Sequence, residues 1–241
     1  MSTRTDLLRR LIAEALGTAF LLATVVGSGI MGEQLAGGNS AIALLANALA
    51  TAAMLYVLIV WFEAISGAHF NPVVTLSMAA RGDLAWKLAP AYILVQFVAA
   101  IAGVGIADAM FDLPIYWWSQ HIRSGPSQWP SEFIATFGLI GLIWVGSRNR
   151  AKAVPALVAS YIGAAYWFTA STSFANPAVT VARAMTNTFA GIRPLDVPAF
   201  VVAQTLGTIA AVTVFGWLVP VRRDSAAEVK SGISAIVAPE S

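Results

Sequence analysis

The chain has no cysteine, and only 11% of its 241 residues are charged. A soluble domain carries about 25% charged residues, so this chain lacks the polar surface that water requires. The absence of cysteine excludes disulfides, metal–thiolate sites and thiol nucleophiles. Hydrophobic residues make up 58% of the sequence, and the mean hydropathy is +0.75. These values predict a protein whose solvent is a lipid bilayer.

Six long apolar segments account for most of the chain. Each approaches the roughly 20 residues that cross a bilayer as a helix. They cover about residues 8–30, 41–64, 88–109, 131–147, 153–170 and 197–220, and the fourth and fifth are the shortest. The sequence therefore predicts an all-α membrane protein with a single transmembrane domain at 1–223. A mobile tail is predicted at 224–241.

The basic residues predict the orientation in the membrane. If both termini lie inside, eleven of the 14 Lys and Arg residues fall on the inner side, and only Arg123, Arg183 and Arg193 fall outside. Inner loops of membrane proteins carry such an excess of Lys and Arg. We expect cytoplasmic N- and C-termini in an inner (plasma) membrane. The basic residues form no patch, so no nucleic-acid partner is expected.

A short motif occurs twice and interrupts the apolar regions. Asn71-Pro72-Val73-Val74-Thr75 and Asn176-Pro177-Ala178-Val179-Thr180 are 105 residues apart. Asn caps the free amides at a helix start, and Pro suits the first helical turn, so each motif predicts a helix that begins there. The apolar run after each motif has about ten residues, which is too short to cross a bilayer and is typical of a re-entrant half-helix.

The two halves of the chain, about 7–109 and 131–220, are repeats of each other. Each half begins with a glutamate, Glu14 or Glu132, that precedes a threonine by four residues. Because each half has three spans, the second half must lie inverted in the membrane relative to the first. Inverted repeats of this kind place a shared site near the bilayer midplane.

Two half-helices that meet at their N-termini direct free amides and about +0.5 charge each to one point. The side-chain amides of Asn71 and Asn176 are expected to add donors that face a lumen there. Such a site suits a neutral molecule with lone pairs, such as water or a polyol, and repels small cations. Weak binding of this kind permits rapid passage, so a passive channel is predicted. No nucleophile–base pair, metal-ligand cluster or cofactor motif lies near the motifs, so we predict no enzyme, metal or cofactor.

On these residues the chain resembles the aquaporin and aquaglyceroporin family, the major intrinsic proteins. The resemblance extends over about 7–220 and implies six transmembrane helices plus two half-helices, a pore in each protomer and a homotetramer. It also implies passive, bidirectional movement of water or small uncharged solutes. The residues that carry it are Glu14-x-x-Gly17-Thr18, Ser66-Gly67-Ala68-His69-Phe70-Asn71-Pro72-Val73-Val74-Thr75 and Asn176-Pro177-Ala178.

The resemblance also locates an outer selectivity filter, where this chain departs from the family pattern. In the family an arginine directly follows the second Asn-Pro-Ala, and here that position is Val179. Family spacing places the other filter positions at Thr51, Ala164 and Ser173, none of which is large. We therefore expect a wider, more apolar filter, a lower barrier to cations, and solutes larger than water. In the first motif Val73 replaces the usual alanine, a change in bulk that the family tolerates.

The segment 176–194 resembles a bacterial subgroup of the family that is associated with arsenic resistance. The resemblance rests on Val-Thr-x-Ala-Arg after the motif and Thr-Phe-Ala-Gly-Ile-Arg-Pro beyond it. It implies arsenite or methylated arsenicals as solutes in arsenic detoxification. Arsenous acid is neutral at pH 7 and resembles a polyol in shape. Glycerol fits the same pore equally well, so both solutes remain open.

Four residues near the motifs each have two interpretations. Glu14 and Glu132 are either structural braces for the loops or the proton relay of a proton-coupled secondary transporter. His69 either lines the inner pore mouth and responds to pH or is tied into its loop. Arg183 either forms a positive ring at the outer mouth, or it extends to the lipid headgroups or holds an outer loop through a carbonyl.

Overall fold

The computed structural model describes residues 4–219, and the tail predicted at 224–241 lies outside them. The described residues form eight α-helices and no strand. Six helices are long, and two short ones begin at the prolines of the repeated motif. In chain order they are α1 (Arg4–Leu35), α2 (Ser40–Ser66), α3 (Pro72–Arg81), α4 (Ala89–Met110), α5 (Gln128–Asn149), α6 (Val154–Phe168), α7 (Pro177–Arg183) and α8 (Val197–Leu218).

Five of the six long helices are long and apolar enough to cross a membrane. The exception is α6, which has only 15 residues and follows a 3₁₀ turn at Ala151–Ala153. It corresponds to the fifth apolar segment, one of the two that are short in the sequence. The predicted fold class, an all-α membrane protein with two added half-helices, is confirmed.

The long helices pack in the same way in both halves. In the first half α1 packs against α2 and α4, and in the second half α5 packs against α6 and α8. Glycine permits close approach of the backbones in these contacts: a Cβ atom on Gly103 of α4 would lie 2.4 Å from the carbonyl oxygen of Ala19. The matching Cβ on Gly207 of α8 would lie 2.5 Å from the carbonyl oxygen of Phe133. Small residues of this kind allow membrane helices to approach closely.

The half-helices cross from one repeat to the other. α7 packs against α4, α3 packs against α8, and α3 and α7 also contact each other. Asn71 and Asn176, the residues before the two prolines, have extended backbones with φ of −156° and −158° and cap α3 and α7. The helix-start prediction from Asn-Pro is therefore correct, and the two starts meet between the repeats.

Candidate channel and selectivity filter

The loops that lead into the two half-helices share an unusual backbone. Ala68 and Phe70 in the first loop have φ of 51° and 50°, and Ser173 and Ala175 in the second have φ of 52° and 46°. Non-glycine residues in this left-handed region cost about 1–2 kcal/mol each, so neighbouring contacts must stabilise them. The strained positions are again 105 residues apart, and they adjoin the meeting point of the half-helices.

Glu14 holds the first loop in place. Its Oε1 accepts hydrogen bonds from the Ser66 hydroxyl at 2.7 Å and the His69 amide at 2.9 Å. Its Oε2 accepts from the Phe70 amide at 2.7 Å and from Gln96 Nε2 at 2.9 Å. A fully buried carboxylate with four donors is well compensated, and it supplies acceptors to amides that the loop conformation leaves without partners.

Glu132 holds the second loop by the same arrangement. Its two carboxylate oxygens accept from the amides of Phe174 at 2.8 Å and Ala175 at 2.9 Å, and Gln204 Nε2 donates to it at 2.6 Å. Both glutamates are fully buried, and neither lines the channel cavity. These contacts fit the brace interpretation. A proton relay needs access to the translocation path, which these carboxylates lack.

The two asparagines connect the half-helices at the centre. Asn71 Oδ1 accepts from the Val73 amide at 3.0 Å, and its Nδ2 donates to the carbonyl oxygen of Ala175 at 2.8 Å. Asn176 Oδ1 accepts from the Ala178 amide at 3.0 Å, and its Nδ2 donates to the carbonyl oxygen of Phe70 at 2.9 Å. Each side-chain NH₂ therefore uses one hydrogen to join the opposite loop, which leaves one for a solute.

A cavity of about 410 Å³ runs past both asparagines. Two of its walls are stripes of residues spaced by four, which places them on one face of a helix. The α2 stripe is Thr51, Leu55, Ile59 and Glu63, and the α6 stripe is Val154, Val158, Ile162 and Tyr166. Most of these side chains are apolar, whereas Asn71, Asn176 and the loop residues His69 and Ser173 add polar residues to the lining.

The predicted filter needs one correction. Thr51, Ser173 and Val179 all line the cavity, but Ala164 does not; it is exposed on the outer face of α6. Ala164 lies two residues from both Ile162 and Tyr166, and two residues turn a helix by about 200°, to its opposite side. Tyr166 takes its place in the lining, and its hydroxyl lies 3.2 Å from Thr51 Oγ1. The chain contributes an aromatic residue where a small one was predicted.

The remaining motif residues lie behind the lining. Pro72, Val73, Pro177 and Ala178 are buried and do not border the cavity. They form the first turns of α3 and α7 and are packed by the surrounding helices. Their contribution is to position the asparagines and Val179.

His69 lies in the cavity wall, two residues before Asn71. Its Nδ1 is 3.1 Å from Thr75 Oγ1, which also receives a hydrogen bond from Gln96 at 2.9 Å and donates to the Asn71 carbonyl at 3.1 Å. Because the Thr75 hydroxyl has one hydrogen, His69 Nδ1 must be the donor in their contact. The imidazole is thus tied into the loop by a side chain, although it also borders the pore.

Arg183 and Arg123 meet at the ring of Phe174. The guanidinium carbons of Arg183 and Arg123 lie 3.5 Å and 5.1 Å from the centre of the Phe174 ring. Arg183 Nε donates to the carbonyl oxygen of Ala190, as one of its two interpretations expected, and Arg183 also lines the cavity. Burial lowers the pKa of Arg123, which lies in the connection before α5, to about 10, so it remains charged at pH 7.

Sequence reasoning did not identify Arg123 or Tyr166 as site residues. Arg123 is isolated in an outer connection rich in tryptophan and is 8% exposed. A lone arginine in an outer loop that is otherwise poor in basic residues was the available signal. Tyr166 belongs to the α6 stripe. The sequence reveals this stripe only when residues are counted in steps of four along α6, and not when a filter position is counted back from the second Asn-Pro motif.

Comparison with known proteins agrees with this architecture. A sequence model of the major intrinsic protein family matches residues 1–175. The chain belongs to this family. It is 54% identical over 213 residues to the aquaglyceroporin AqpS of Rhizobium meliloti, which covers 88% of this chain and 91% of that protein. It is 31% identical over 161 residues to aquaporin NIP1-1 of Arabidopsis thaliana, which covers 63% of this chain and 53% of that protein.

The fold also matches a solved structure. The X-ray structure of the aquaglyceroporin from Plasmodium falciparum superimposes with a TM-score of 0.65 at 17% identity, covering 87% of this chain and 95% of the other. At that identity the match concerns the fold alone. With the family established, this chain is an integral membrane channel for small neutral solutes and not an enzyme.

Proposed function

We propose that this chain is a passive channel whose main solutes are uncharged and larger than water, with glycerol-like polyols as the principal class. The observation that carries the proposal is Val179. It follows the second Asn-Pro-Ala motif and lines the cavity, where family resemblance places a filter arginine. A valine there leaves room and an apolar surface for a carbon backbone. Water passes through the same pore.

The rest of the lining supports a polyol. The apolar stripes on α2 and α6 line the same cavity as the polar residues Asn71, Asn176 and Ser173, so a solute meets both carbon and hydrogen-bonding groups. A polyol has the same two kinds of surface. Binding is weak on both sides, which is the condition for rapid passage. The name of the Rhizobium meliloti relative, an aquaglyceroporin, agrees with this solute class.

Arsenous acid and methylated arsenicals form a second candidate class. The support is the resemblance of segment 176–194 to an arsenic-resistance subgroup, together with the valine at position 179. Arsenous acid carries three hydroxyl groups and no charge at pH 7. It presents the same donors and acceptors as a polyol, so one filter serves both.

We further propose a homotetramer in a bacterial inner membrane, with both termini in the cytoplasm. The excess of basic residues on the inner side supports this orientation. Lipid is the partner of the outer helix faces, where large apolar side chains such as Leu49, Leu94 and Trp217 are 63%, 66% and 81% exposed. Each protomer contains its own cavity, so conduction does not depend on the assembly.

Stopped-flow light scattering on proteoliposomes tests the proposal. Vesicles are challenged with glycerol, urea and arsenous acid, with and without a pH gradient, and glycerol entry is expected to exceed that of protein-free vesicles without ever running uphill. Accumulation against a gradient would overturn the channel and favour a transporter that uses Glu14 and Glu132. Ile162→Trp is expected to block flux, whereas Ala164→Trp, on the outer face of the same helix, is not.

A further inference from the structure

The position four residues after Val179 is occupied by Arg183, one turn further out on α7. Helical side chains lean toward the N-terminus of their helix, so this arginine reaches back over the turn that contains Val179. Its guanidinium stacks on the ring of Phe174, the residue directly after filter residue Ser173. The guanidinium charge of Arg183, one helical turn after Val179, therefore lies close to the filter.

No carboxylate within residues 4–219 forms an ion pair with Arg183. Within residues 4–219, the recorded ion pairs join Arg81 to Asp83 and Arg193 to Asp196, and neither includes Arg183. Arg183 is only 2% exposed, and it lines the cavity. Its hydrogen bond to the Ala190 carbonyl uses Nε, so the two terminal nitrogens can donate to a solute in the cavity. An arginine buried without an ion-pair partner produces a local positive potential, which the nearby Glu132 carboxylate offsets only in part.

Arg123, the second arginine beside Phe174, is fully engaged. Its Nε donates to the carbonyl oxygen of Gly191 at 2.8 Å, and its Nη2 donates to that of Phe189 at 3.2 Å. It does not line the cavity. Arg123 therefore supports the outer loops and adds to the potential, whereas Arg183 is the one that meets a solute.

Ser173 supplies an independent observation. Its hydroxyl is buried and has no hydrogen-bond partner within residues 4–219, and the residue, which is 3% exposed, lines the same cavity. Buried hydroxyls are normally paired, so an unpaired one at a channel wall indicates a group that passing solutes satisfy. A hydroxyl both donates and accepts, which matches the hydroxyl groups of an uncharged solute.

We propose that Arg183 is the charged residue of the outer filter, and that with Ser173 it binds the oxygen of a hydroxyl-bearing solute while it repels cations and protons. The proposal rests on the proposed channel function and specifies its selectivity. It replaces the expectation, from Val179 alone, that the cation barrier falls. In this arrangement the filter keeps its charge and gains the space that valine leaves.

Proton and sodium leak in proteoliposomes tests the proposal. An internal pH dye reports proton entry under a potassium diffusion potential, and glycerol flux is measured on the same vesicles. Arg183→Gln is expected to raise the leak by about tenfold or more, because the repulsion of a unit charge at short range is removed. Arg193→Gln is the matched control: it removes an outer arginine that does not line the cavity, and the leak is expected to stay unchanged.

Two outcomes would overturn the proposal. In the first, the Arg183→Gln variant conducts glycerol but leaks no more protons or sodium than the unmodified protein. In the second, Arg183→Gln and Arg193→Gln raise the leak equally. The double variant Val179→Arg, Arg183→Gln returns a charge to the filter without the contact to Ala190. If this double variant again excludes protons and sodium, the effect is due to charge; if the leak persists, the proposal is contradicted.

If Arg183→Gln does not insert into the membrane, the unmodified protein provides the test, because a cation leak above that of protein-free vesicles would contradict a charged filter. Failure of the channel function appears separately, as absent glycerol flux in the unmodified protein.

Discussion

The two re-entrant loops share a framework and differ in what they present to the pore. In each loop a buried glutamate accepts two backbone amides, a glutamine joins it to a threonine, and an asparagine caps the half-helix. The matching lining positions differ: His69 corresponds to Phe174, and Met78 corresponds to Arg183. All four of these side chains line the cavity.

This difference separates the residues that make the fold from those that set selectivity. The framework is duplicated because both half-helices need the same strained entry and the same capping. The lining has no such constraint, so the α7 half of the site carries a cation and an aromatic ring where the α3 half carries an imidazole and a thioether. Changes to the framework should therefore affect both halves alike, whereas changes to the lining should affect one end.

The largest expected effect follows from removing a brace. Glu132→Ala leaves the amides of Phe174 and Ala175 without acceptors, and we expect the free energy of unfolding to fall by roughly 3–5 kcal/mol. Glu14→Ala should have a similar effect. Chemical denaturation in detergent measures both, with Glu33→Ala, an exposed glutamate of α1, as the control. A large effect in one half only would break the proposed equivalence.

A smaller effect is expected at the close helix contacts. Gly207→Ala places a methyl group 2.5 Å from the carbonyl oxygen of Phe133, which forces α8 and α5 apart. Overpacking of this kind costs about 1–3 kcal/mol, measured as a lower unfolding temperature. Gly216→Ala, on the same helix, is the control. Its added Cβ atom would lie 3.6 Å from the nearest atom, on Trp144, so the change should have little effect. Equal destabilisation by both changes would show that the contact is not tight.

The smallest expected effect tests a difference within the framework. Tyr92 donates a hydrogen bond to the Ser66 carbonyl at 3.0 Å, whereas the corresponding residue of the second half, Phe200, stacks edge-on against Phe174. Tyr92→Phe should lower the free energy of unfolding by about 1 kcal/mol. Tyr56→Phe, on the exposed side of α2, provides the control. If Tyr92→Phe leaves the free energy of unfolding unchanged, the Tyr92 hydroxyl does not stabilise the first loop.

Much of this architecture was predictable from sequence because it depends on local sequence patterns. The apolar segments, the Asn-Pro starts and the repeated glutamates each follow from a few neighbouring residues. Even the shortness of α6 follows from the fifth apolar run. The pairing of Glu14 with the His69 and Phe70 amides was less accessible, since it depends on how α1 packs against a loop far along the chain.

The filter was harder to predict, because it depends on helix rotation. Counting back from the motif selected Ala164, but a count fixes only a position along the chain. The channel face of α6 is set by packing and contains Ile162 and Tyr166 instead. Arg123 was missed for a similar reason: its burial depends on how the connection between α4 and α5 folds against the segment after α7.

The most direct test of the account is the ratio of glycerol flux to water flux in Val179→Arg. A guanidinium added beside Arg183 should narrow the filter and fill the space proposed for carbon. We predict that glycerol flux falls at least about tenfold while water flux falls much less, since a water molecule needs only a narrow, polar path. Stopped-flow light scattering on matched proteoliposomes gives both rates. Equal loss of the two fluxes, or no loss of either, would contradict the placement of Val179 at the constriction that selects the solute.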